Sequence, residues 1–352
     1  MLNLEYTYSS LRLATYLKSF AQHYRKHNYY YPPSYVLWDC TRRCNLACRH
    51  CGASKESYAD ELSESEVKAL VDQIAKMGCR FFAATGGEPL LREDMVRIMA
   101  YASEQGMGTG IATNGYLLDE KKAAELKQSG IKSIQISLDG TEEIHNFIRR
   151  NEQSYQNAIA AIRHCHNVGI YMVTTATVIS KYNYDNIPIL ADRLAEVGVK
   201  HWKVMFAMPI GRAETDDCAI SKTQMKQMLD FIKVNRKRFH IIVGENLPWL
   251  GKADSKIRQE CTFCPVGITT CCIGVNGNIR GCPEMPDTDE FLEGNIRDQN
   301  LWEIWQKGFR KYRSAELRQT DTKCKSCSAW SKCRGGCWVM RLNGTHCIKD
   351  YI

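Results

Sequence analysis

From about residue 35 the chain alternates short runs of β-branched and aromatic residues with longer stretches whose apolar residues recur every three or four positions. Six runs have the composition of buried strands: YVLWDC (35–40), RFFAA (80–84), GTGIAT (108–113), SIQISL (133–138), YMVTTATV (171–178) and HWKVMFA (201–207). Strands that alternate with helices predict a parallel sheet with crossover helices. We therefore predict an α/β protein built on a partial (β/α)6 TIM-like barrel, in which the loops after the strands carry the chemistry.

The helix after the first strand has the clearest boundaries. Ser63 and Glu66 have the spacing of a capping box, and Gly78 stands where such a helix would end. Similar periodicity predicts helices at 92–105, 119–129, 154–168, 184–197 and 221–237. Residues 11–31 predict a further helix, which we expect to pack on the barrel, although its mixture of basic residues and tyrosines also suits a surface-binding helix.

After residue 240 the pattern changes to short pieces interrupted by Gly, Pro and Cys, with one helix predicted at 301–309. So few periodic apolar residues cannot form a core, and we expect bound metal to supply much of the folding free energy there. The sequence thus predicts three parts: an N-terminal helical extension (1–34), the barrel (35–243) and a small Cys-rich domain (244–352).

Composition narrows the class of protein. The net charge of +8 comes from interspersed residues, without the basic stripe that nucleic-acid binding needs, so we expect no nucleic-acid partner. No apolar run approaches the roughly 18 residues of a transmembrane helix, and the N-terminus lacks a secretory signal. We therefore expect a cytoplasmic protein without a transmembrane segment. Its 17 cysteines then indicate bound metal, because disulfides are rare in that compartment.

Three cysteines follow the first strand directly. Cys44, Cys48 and Cys51 have the spacing CxxxCxxC within CTRRCNLACRHCG. Three thiolates can hold three irons of a 4Fe–4S cluster, which leaves the fourth iron open to a substrate. The same spacing in isolation also occurs in zinc sites. TGGEP (85–89) ends the second strand, where glycines let the backbone approach a ligand and Glu88 can accept a hydrogen bond from an ammonium group.

Together these motifs resemble the signature of the radical SAM superfamily, whose open iron is chelated by the amino and carboxylate groups of S-adenosylmethionine (SAM). The resemblance implies that Gly86, Gly87 and Glu88, in the motif that Pro89 completes, hold the methionine amine. It also implies that Ser137 binds the ribose hydroxyls and that Arg149 binds the SAM carboxylate. Asn114 of TNG (113–115) and Asp139 of SLDG (137–140) are further cofactor-binding candidates.

Eight cysteines of the last hundred residues form CxxC pairs and longer spacings, which is enough for two fully ligated 4Fe–4S clusters. CxxC pairs suit zinc ribbons equally well. The pattern resembles the SPASM domain, the auxiliary-cluster extension of radical SAM enzymes. The family's interleaved ligation implies one cluster on Cys261, Cys264, Cys282 and Cys337, and a second on Cys324, Cys327, Cys333 and Cys347. Cys271 and Cys272 lie between these ligands; replacement of Cys264 by one of them, or a role as hydrogen-atom donor, is the less favoured alternative.

The resemblance implies an enzyme with SAM and three 4Fe–4S clusters that cleaves SAM reductively and abstracts a hydrogen atom from a C–H bond. Its implied partners are a ribosomally made peptide or small-protein substrate and an external one-electron reductant of the flavodoxin or ferredoxin type. Pro283 follows Cys282 where sulfatase-maturing relatives have an aspartate, so we do not expect formylglycine formation. The alternatives are a small-molecule or tetrapyrrole substrate and, in another class, an iron–sulfur electron carrier or sensor.

Overall fold

The computed structural model describes residues 10–52, 60–244, 246–258, 263–314 and 316–347, and its centre is one sheet of ten strands. The strands are β1 (Tyr35–Asp39), β2 (Phe81–Thr85), β3 (Gly108–Thr113), β4 (Ser133–Ser137), β5 (Met172–Ile179), β6 (His201–Phe206), β7 (His240–Val243), β8 (Thr270–Ile273), β9 (Asn278–Arg280) and β10 (Gly294–Asn295). All six predicted strands are present, and β1 to β7 pair in parallel in chain order. The predicted α/β barrel-type fold is confirmed.

The Cys-rich part of the chain extends this sheet. β8 pairs in parallel with β1, Tyr35 lying opposite Thr270, while β9 and β10 continue the sheet in antiparallel fashion. β1 is therefore an interior strand with β2 on one side and β8 on the other. The loop that follows β1 consequently lies between the barrel and the C-terminal region.

Helices cover the strands and lie between them along the chain. They are α1 (Ser10–His27), α2 (Glu64–Lys76), α3 (Met95–Glu104), α4 (Glu120–Gln128), α5 (Glu142–Arg149), α6 (Ser154–Asn167), α7 (Ile187–Glu196), α8 (Arg212–Thr215), α9 (Lys222–Asn235), α10 (Asp254–Ile257), α11 (Leu301–Lys307), α12 (Arg310–Arg313), α13 (Glu316–Thr320), α14 (Trp330–Cys333) and α15 (Trp338–Leu342). The capping box of α2 forms as predicted: Ser63 accepts from the Glu66 backbone N–H, and the Glu66 carboxylate accepts from that of Ser63. Gly78 follows the helix with φ +77°, a conformation that favours glycine.

One hydrophobic core runs through the barrel and the C-terminal region. Ile279, Trp305 and Phe309 are fully buried in the same core cluster as Val36 and Trp38 of β1. The C-terminal region thus shares the core of the barrel, which is how a segment with few periodic apolar residues becomes buried. We propose that the chain divides after residues 34 and 243, as the sequence predicts.

Where its side chains are described, the N-terminal helix packs on the C-terminal region, and packing on the barrel stays a prediction. Phe20 of α1 is buried against Phe263 and Ile268 of the C-terminal region, together with Tyr30 and Tyr31. Tyr30 stacks on Phe20 at 5.1 Å between ring centroids, and the Tyr31 carbonyl accepts a hydrogen bond from the Trp305 indole. Hydrophobic contact with Phe263 and Ile268 and the hydrogen bond from Trp305 join this segment to the C-terminal region, and helical periodicity does not reveal either contact. No helix among the described residues is long and apolar enough to cross a membrane.

The capping box generates a stability prediction. Ser63→Ala removes the side-chain acceptor of the first turn of α2 and should lower the free energy of unfolding by about 1 kcal/mol. Thr141, the N-cap residue of α5, makes no side-chain cap hydrogen bond, so Thr141→Ala is the matched control and should cost less. Chemical denaturation of both variants measures the difference; equal losses would contradict the capping role.

Candidate active site

The three thiols of the CxxxCxxC loop lie together beyond the carboxyl end of β1. Cys48 is 6% exposed, and Cys44 and Cys51 are half-buried. Burial raises the pKa of the Cys44 thiol, and the nearby negative charges of Cys48, Glu88 and Cys51 raise it further. A site that opposes ionisation of neighbouring thiols favours a bound cation or cluster, because thiolates are the ligand form.

The end of β2 holds this loop through its backbone. The N–H of Gly87 donates to the Thr41 carbonyl at 2.6 Å, and that of Glu88 donates to the Arg43 carbonyl at 2.8 Å. A Cβ atom on Gly86 would lie 2.5 Å from the Thr41 carbonyl oxygen, and one on Gly87 would clash with that of Arg43. The two glycines therefore let the backbone before Cys44 pack closely against the end of β2. The sequence analysis had expected them to make room for the ligand.

Glu88 joins the ends of β2 and β3. Its fully buried carboxylate accepts from the Thr113 hydroxyl at 2.7 Å, the Asn114 N–H at 2.8 Å and the Leu90 N–H at 3.1 Å. Burial raises the pKa of Glu88, which these hydrogen bonds oppose. Asn114 in turn donates from its amide to the Asn45 side chain at 2.7 Å. Glu88 and Asn114 thus link the strand ends to the CxxxCxxC loop, whether or not either also touches SAM.

The segment after β6 closes the loop from the other side, a contact that sequence reasoning missed. Arg212 donates from Nε to the Cys48 carbonyl at 2.7 Å and from its backbone N–H to the Cys51 carbonyl at 3.0 Å. Gly211 has φ +55°, and a Cβ atom there would lie 2.7 Å from the Gly52 carbonyl oxygen. A Gly–Arg pair directly after a strand is the signal that could have pointed to this clamp.

A buried ionic network connects β4 to the loop. Arg149 donates from Nε and Nη2 to Asp139 Oδ2, at 2.7 and 2.6 Å, and from Nη1 to the Cys48 sulfur at 3.6 Å. His50 Nε2 also lies 3.0 Å from Asp139 Oδ2. Although burial opposes ionisation of Asp139, the charges of Arg149 and His50 hold the pKa of this carboxyl well below its usual range. Because an ionised carboxylate only accepts, His50 must donate from Nε2.

His145 binds the backbone of Asp139 in the same network. Its Nδ1 accepts from the Asp139 backbone N–H at 3.0 Å, and its Nε2 faces the Ser154 hydroxyl at 3.0 Å. Burial and the nearby Arg149 lower the pKa of His145 to about 3, so the ring is neutral at pH 7. With Nδ1 as acceptor, Nε2 carries the proton and donates to Ser154.

Two further cofactor-binding candidates differ in their surroundings. The Ser137 hydroxyl, at the end of β4, makes no hydrogen bond within the described part of the chain and is free to meet a ligand. Pro89 is buried at the first position of a 3₁₀ turn (Pro89–Leu91) that follows Glu88, and its contact with a cofactor stays a prediction.

Several of the predicted auxiliary ligands lie near one another. Burial strongly raises the pKa of Cys282, and the nearby Cys264 and Cys337 add to this shift, so these three thiols are neighbours; Cys261 lies outside the described residues. Burial likewise raises the pKa of Cys333, with Cys347 close enough to add to the shift. The Cys327 backbone N–H donates to the Cys324 carbonyl at 3.1 Å.

The surroundings of Cys324 add two candidate ligands that sequence reasoning did not include. Its sulfur lies within 4.8 Å of ligand atoms of both Asp321 and His346. Arg341 pairs with Asp321, however, which places a fixed positive charge beside this group. The positive charge of Arg341 disfavours a metal ion bound to Asp321, so Asp321 is better described as the ion-pair partner of Arg341.

Cys271 and Cys272 are fully buried in β8, opposite Val36 and Leu37 of β1. Burial raises the pKa of both thiols far above the ordinary value. Their place in the sheet suits packing.

A second buried charge group joins the CxxxCxxC loop to the C-terminal region. Asp39, at the end of β1, pairs with Arg42 at 3.0 Å and with Arg280 of β9 at 3.5 Å, and all three are at most 8% exposed. Glu284, two residues after Cys282, lies beside Gly52, since a Cβ atom there would be 2.5 Å from its carboxylate. The first and second cysteine regions are therefore neighbours.

These residues fit an iron–sulfur cluster at the first site. The donor set is three thiols within electrostatic range of one another, and the Arg149 guanidinium beside Cys48 suits an anionic cluster. Cys44 and Cys51 are half-buried, and the Ser137 hydroxyl, which makes no hydrogen bond within the described part of the chain, offers a polar partner to a ligand. Thiolate ligation of this kind is what 4Fe–4S clusters use.

Two family models match parts of the chain that contain cysteines of both cysteine regions. The model of the radical SAM superfamily matches residues 38–194, and the SPASM iron–sulfur cluster-binding domain matches residues 264–329. The mycofactocin maturase MftC of Mycolicibacterium smegmatis is 30% identical over 315 residues, covering 88% of this chain and 79% of MftC. An AdoMet-dependent heme synthase of Oleidesulfovibrio alaskensis is 28% identical over 342 residues, covering 90% of this chain and 85% of that protein.

Among solved structures, Streptococcus suis SuiB bound to precursor peptide SuiA superposes with a TM-score of 0.74 at 18% identity. The match covers 93% of this chain and 76% of SuiB, so the barrel and the Cys-rich region share one arrangement in both folds.

The contacts of Arg212 predict a selective loss of metal. Arg212→Met removes the Nε hydrogen bond to Cys48, and we expect the anaerobically reconstituted protein to lose up to about four irons per chain, the content of one 4Fe–4S cluster. Arg163→Met, a change at an exposed position of α6, is the control and should retain all iron. Iron analysis with iron–sulfur absorption measures both; full iron content in Arg212→Met would show that the clamp does not support the cluster.

Proposed function

The chain belongs to the radical SAM superfamily, as an enzyme with a SPASM domain, and we propose that its substrate is a ribosomally made peptide or small protein. The relation to MftC, a maturase, over both the barrel and the Cys-rich region carries this proposal. The shared fold of SuiB, a protein that binds a precursor peptide, is consistent with it.

In this proposal Cys44, Cys48 and Cys51 hold the first 4Fe–4S cluster and leave one iron for SAM. When bound, the cluster and SAM supply a 5′-deoxyadenosyl radical that abstracts a hydrogen atom from a C–H bond. The protein binds and orients the substrate and SAM, and it excludes water from the site. Gly87, Glu88 and Arg212 fix the cluster loop, and Ser137 offers its hydroxyl to the ribose.

Two auxiliary 4Fe–4S clusters complete the proposed cofactor set. Cys264, Cys282 and Cys337, with Cys261, would hold one cluster, and Cys324, Cys327, Cys333 and Cys347 would hold the other. Four thiolates per cluster leave no open iron, which suits electron transfer. We further propose that the enzyme works in the cytoplasm and takes its electron from a flavodoxin or ferredoxin.

A tetrapyrrole is the second candidate substrate. The relation to the AdoMet-dependent heme synthase of O. alaskensis favours it, because that match extends over 90% of this chain. Both substrate classes present C–H bonds to the same radical, so the barrel alone does not separate them.

A direct comparison of substrates tests the proposal. Reduced, reconstituted enzyme receives SAM together with short peptides encoded beside its gene or, in parallel, with an iron tetrapyrrole such as iron coproporphyrin. We expect one peptide to stimulate 5′-deoxyadenosine formation and to change in mass, while the tetrapyrrole does neither. Stimulation and modification of the tetrapyrrole alone would reject the peptide proposal.

The free hydroxyl of Ser137 predicts a change in SAM affinity. Ser137→Ala removes one hydrogen bond of about 0.5–1.5 kcal/mol, so we expect SAM binding to weaken about 2- to 13-fold without loss of iron. Ser133→Ala, a serine at the other end of β4 on the same face of the sheet, should leave the affinity unchanged. Equilibrium binding of SAM to both variants measures this. Unchanged affinity in Ser137→Ala would remove this residue from the SAM site.

A further inference from the structure

We propose that Arg149 and Asp139 tune the first cluster, with Arg149 placing a positive charge and a hydrogen bond on the Cys48 sulfur and Asp139 holding it there. The proposal rests on the assignment of Cys48 as a cluster ligand in the proposed function, and on no assumption about the substrate. It gives Arg149 a task that the family resemblance does not imply, since the resemblance assigns this arginine to the SAM carboxylate.

The geometry fixes the direction of the guanidinium. Nε and Nη2 of Arg149 both donate to Asp139 Oδ2, at 2.7 and 2.6 Å, and this pairing turns Nη1 to the Cys48 sulfur, 3.6 Å away. Arg149 is 7% exposed and Asp139 is fully buried, so water screens the pair little. A buried ion pair with this orientation is a fixed dipole whose positive end touches the thiolate.

Asp139 cannot turn away, because each side of its carboxylate is held. Oδ1 accepts from the Val178 N–H of β5 at 3.0 Å, and Oδ2 accepts from His50 at 3.0 Å. The backbone N–H of Asp139 is bound by His145. The guanidinium is therefore anchored to two strands and to the cluster loop itself, through Asp139 and His50.

A cation and a hydrogen-bond donor at a ligand sulfur stabilise the reduced cluster, which carries one more negative charge. Hydrogen bonds to the sulfurs and net charge are among the factors that set the reduction potentials of iron–sulfur clusters. Arg149 should therefore make the potential of the first cluster less negative, and the first electron easier to supply. Asp139 acts only through Arg149 and is a positioning residue.

Tuning of the cluster by Arg149 and binding of the SAM carboxylate by Arg149 can be measured separately. Tuning changes the potential of the cluster before SAM is added, whereas carboxylate binding changes only the affinity for SAM. In SAM-free holoenzyme, the midpoint potential of the first cluster is measured by redox titration with electron paramagnetic resonance. This cluster is identified by the signal that changes when SAM is added afterwards. Arg149→Met should shift its potential to a more negative value. Arg150→Met is the matched control, because Arg150 is exposed and pairs with Asp216 on the surface; it should leave the potential unchanged.

Two milder variants keep the test decisive if Arg149→Met fails to hold the first cluster. Arg149→Lys retains the charge but not the two hydrogen bonds that Nε and Nη2 donate to Asp139. Arg149→Gln retains a hydrogen-bond donor without the charge. Both should give potentials between those expected for the wild type and for a variant without charge or donor. Wild-type potentials in the variants that retain the cluster, with weakened SAM binding, would show that Arg149 serves SAM alone and would overturn the proposal. Iron content and SAM cleavage in the wild type report on the proposed function separately.

Discussion

The structure depends on one constraint: a loop without regular secondary structure must hold three thiols in fixed positions at the carboxyl end of β1. Such a loop has many backbone groups that need partners when they are buried. Here Gly87 and Glu88 bind the carbonyls of Thr41 and Arg43, and Arg212 binds those of Cys48 and Cys51. The glycines after β2 and the Gly–Arg pair after β6 are therefore consequences of how closely the neighbouring strands must approach the loop.

Buried charges provide the second level of support. An unpaired charge is costly inside a protein. The buried charges around this loop are therefore paired: Arg149 with Asp139, and Asp39 with Arg42 and Arg280. The first group faces a thiol of the loop, whereas the second connects the loop to β9 of the C-terminal region. Because β8 also pairs with β1, the two cysteine regions are joined through one sheet, which suits electron transfer between the clusters that we propose for them.

The sequence was informative wherever local pattern decides the outcome. Short runs of β-branched and aromatic residues located all six predicted strands, helical periodicity with the capping box located α2, and the cysteine spacing with TGGEP indicated the family. Contacts between distant segments were not predictable: that β8 joins β1, that Gly86 packs on Thr41, or that Arg149 touches Cys48 depends on tertiary geometry. The resemblance assigns Glu88 and Arg149 to SAM, which stays a prediction; the structure adds that Glu88 joins strand ends and that Arg149 donates to the Cys48 sulfur. Nothing in helical periodicity distinguishes the barrel from the C-terminal region as the partner of Phe20.

The central claim is that the cluster on Cys44, Cys48 and Cys51 keeps an open iron and binds SAM there. The most direct measurement is electron–nuclear double resonance of the reduced enzyme with SAM labelled by 15N in its amino group and 13C in its carboxylate. The account predicts hyperfine coupling of both labels to the first cluster in the wild type, and none when Cys44, Cys48 and Cys51 are replaced by alanine. Absence of coupling in the wild type, with the cluster present and SAM bound, would contradict it.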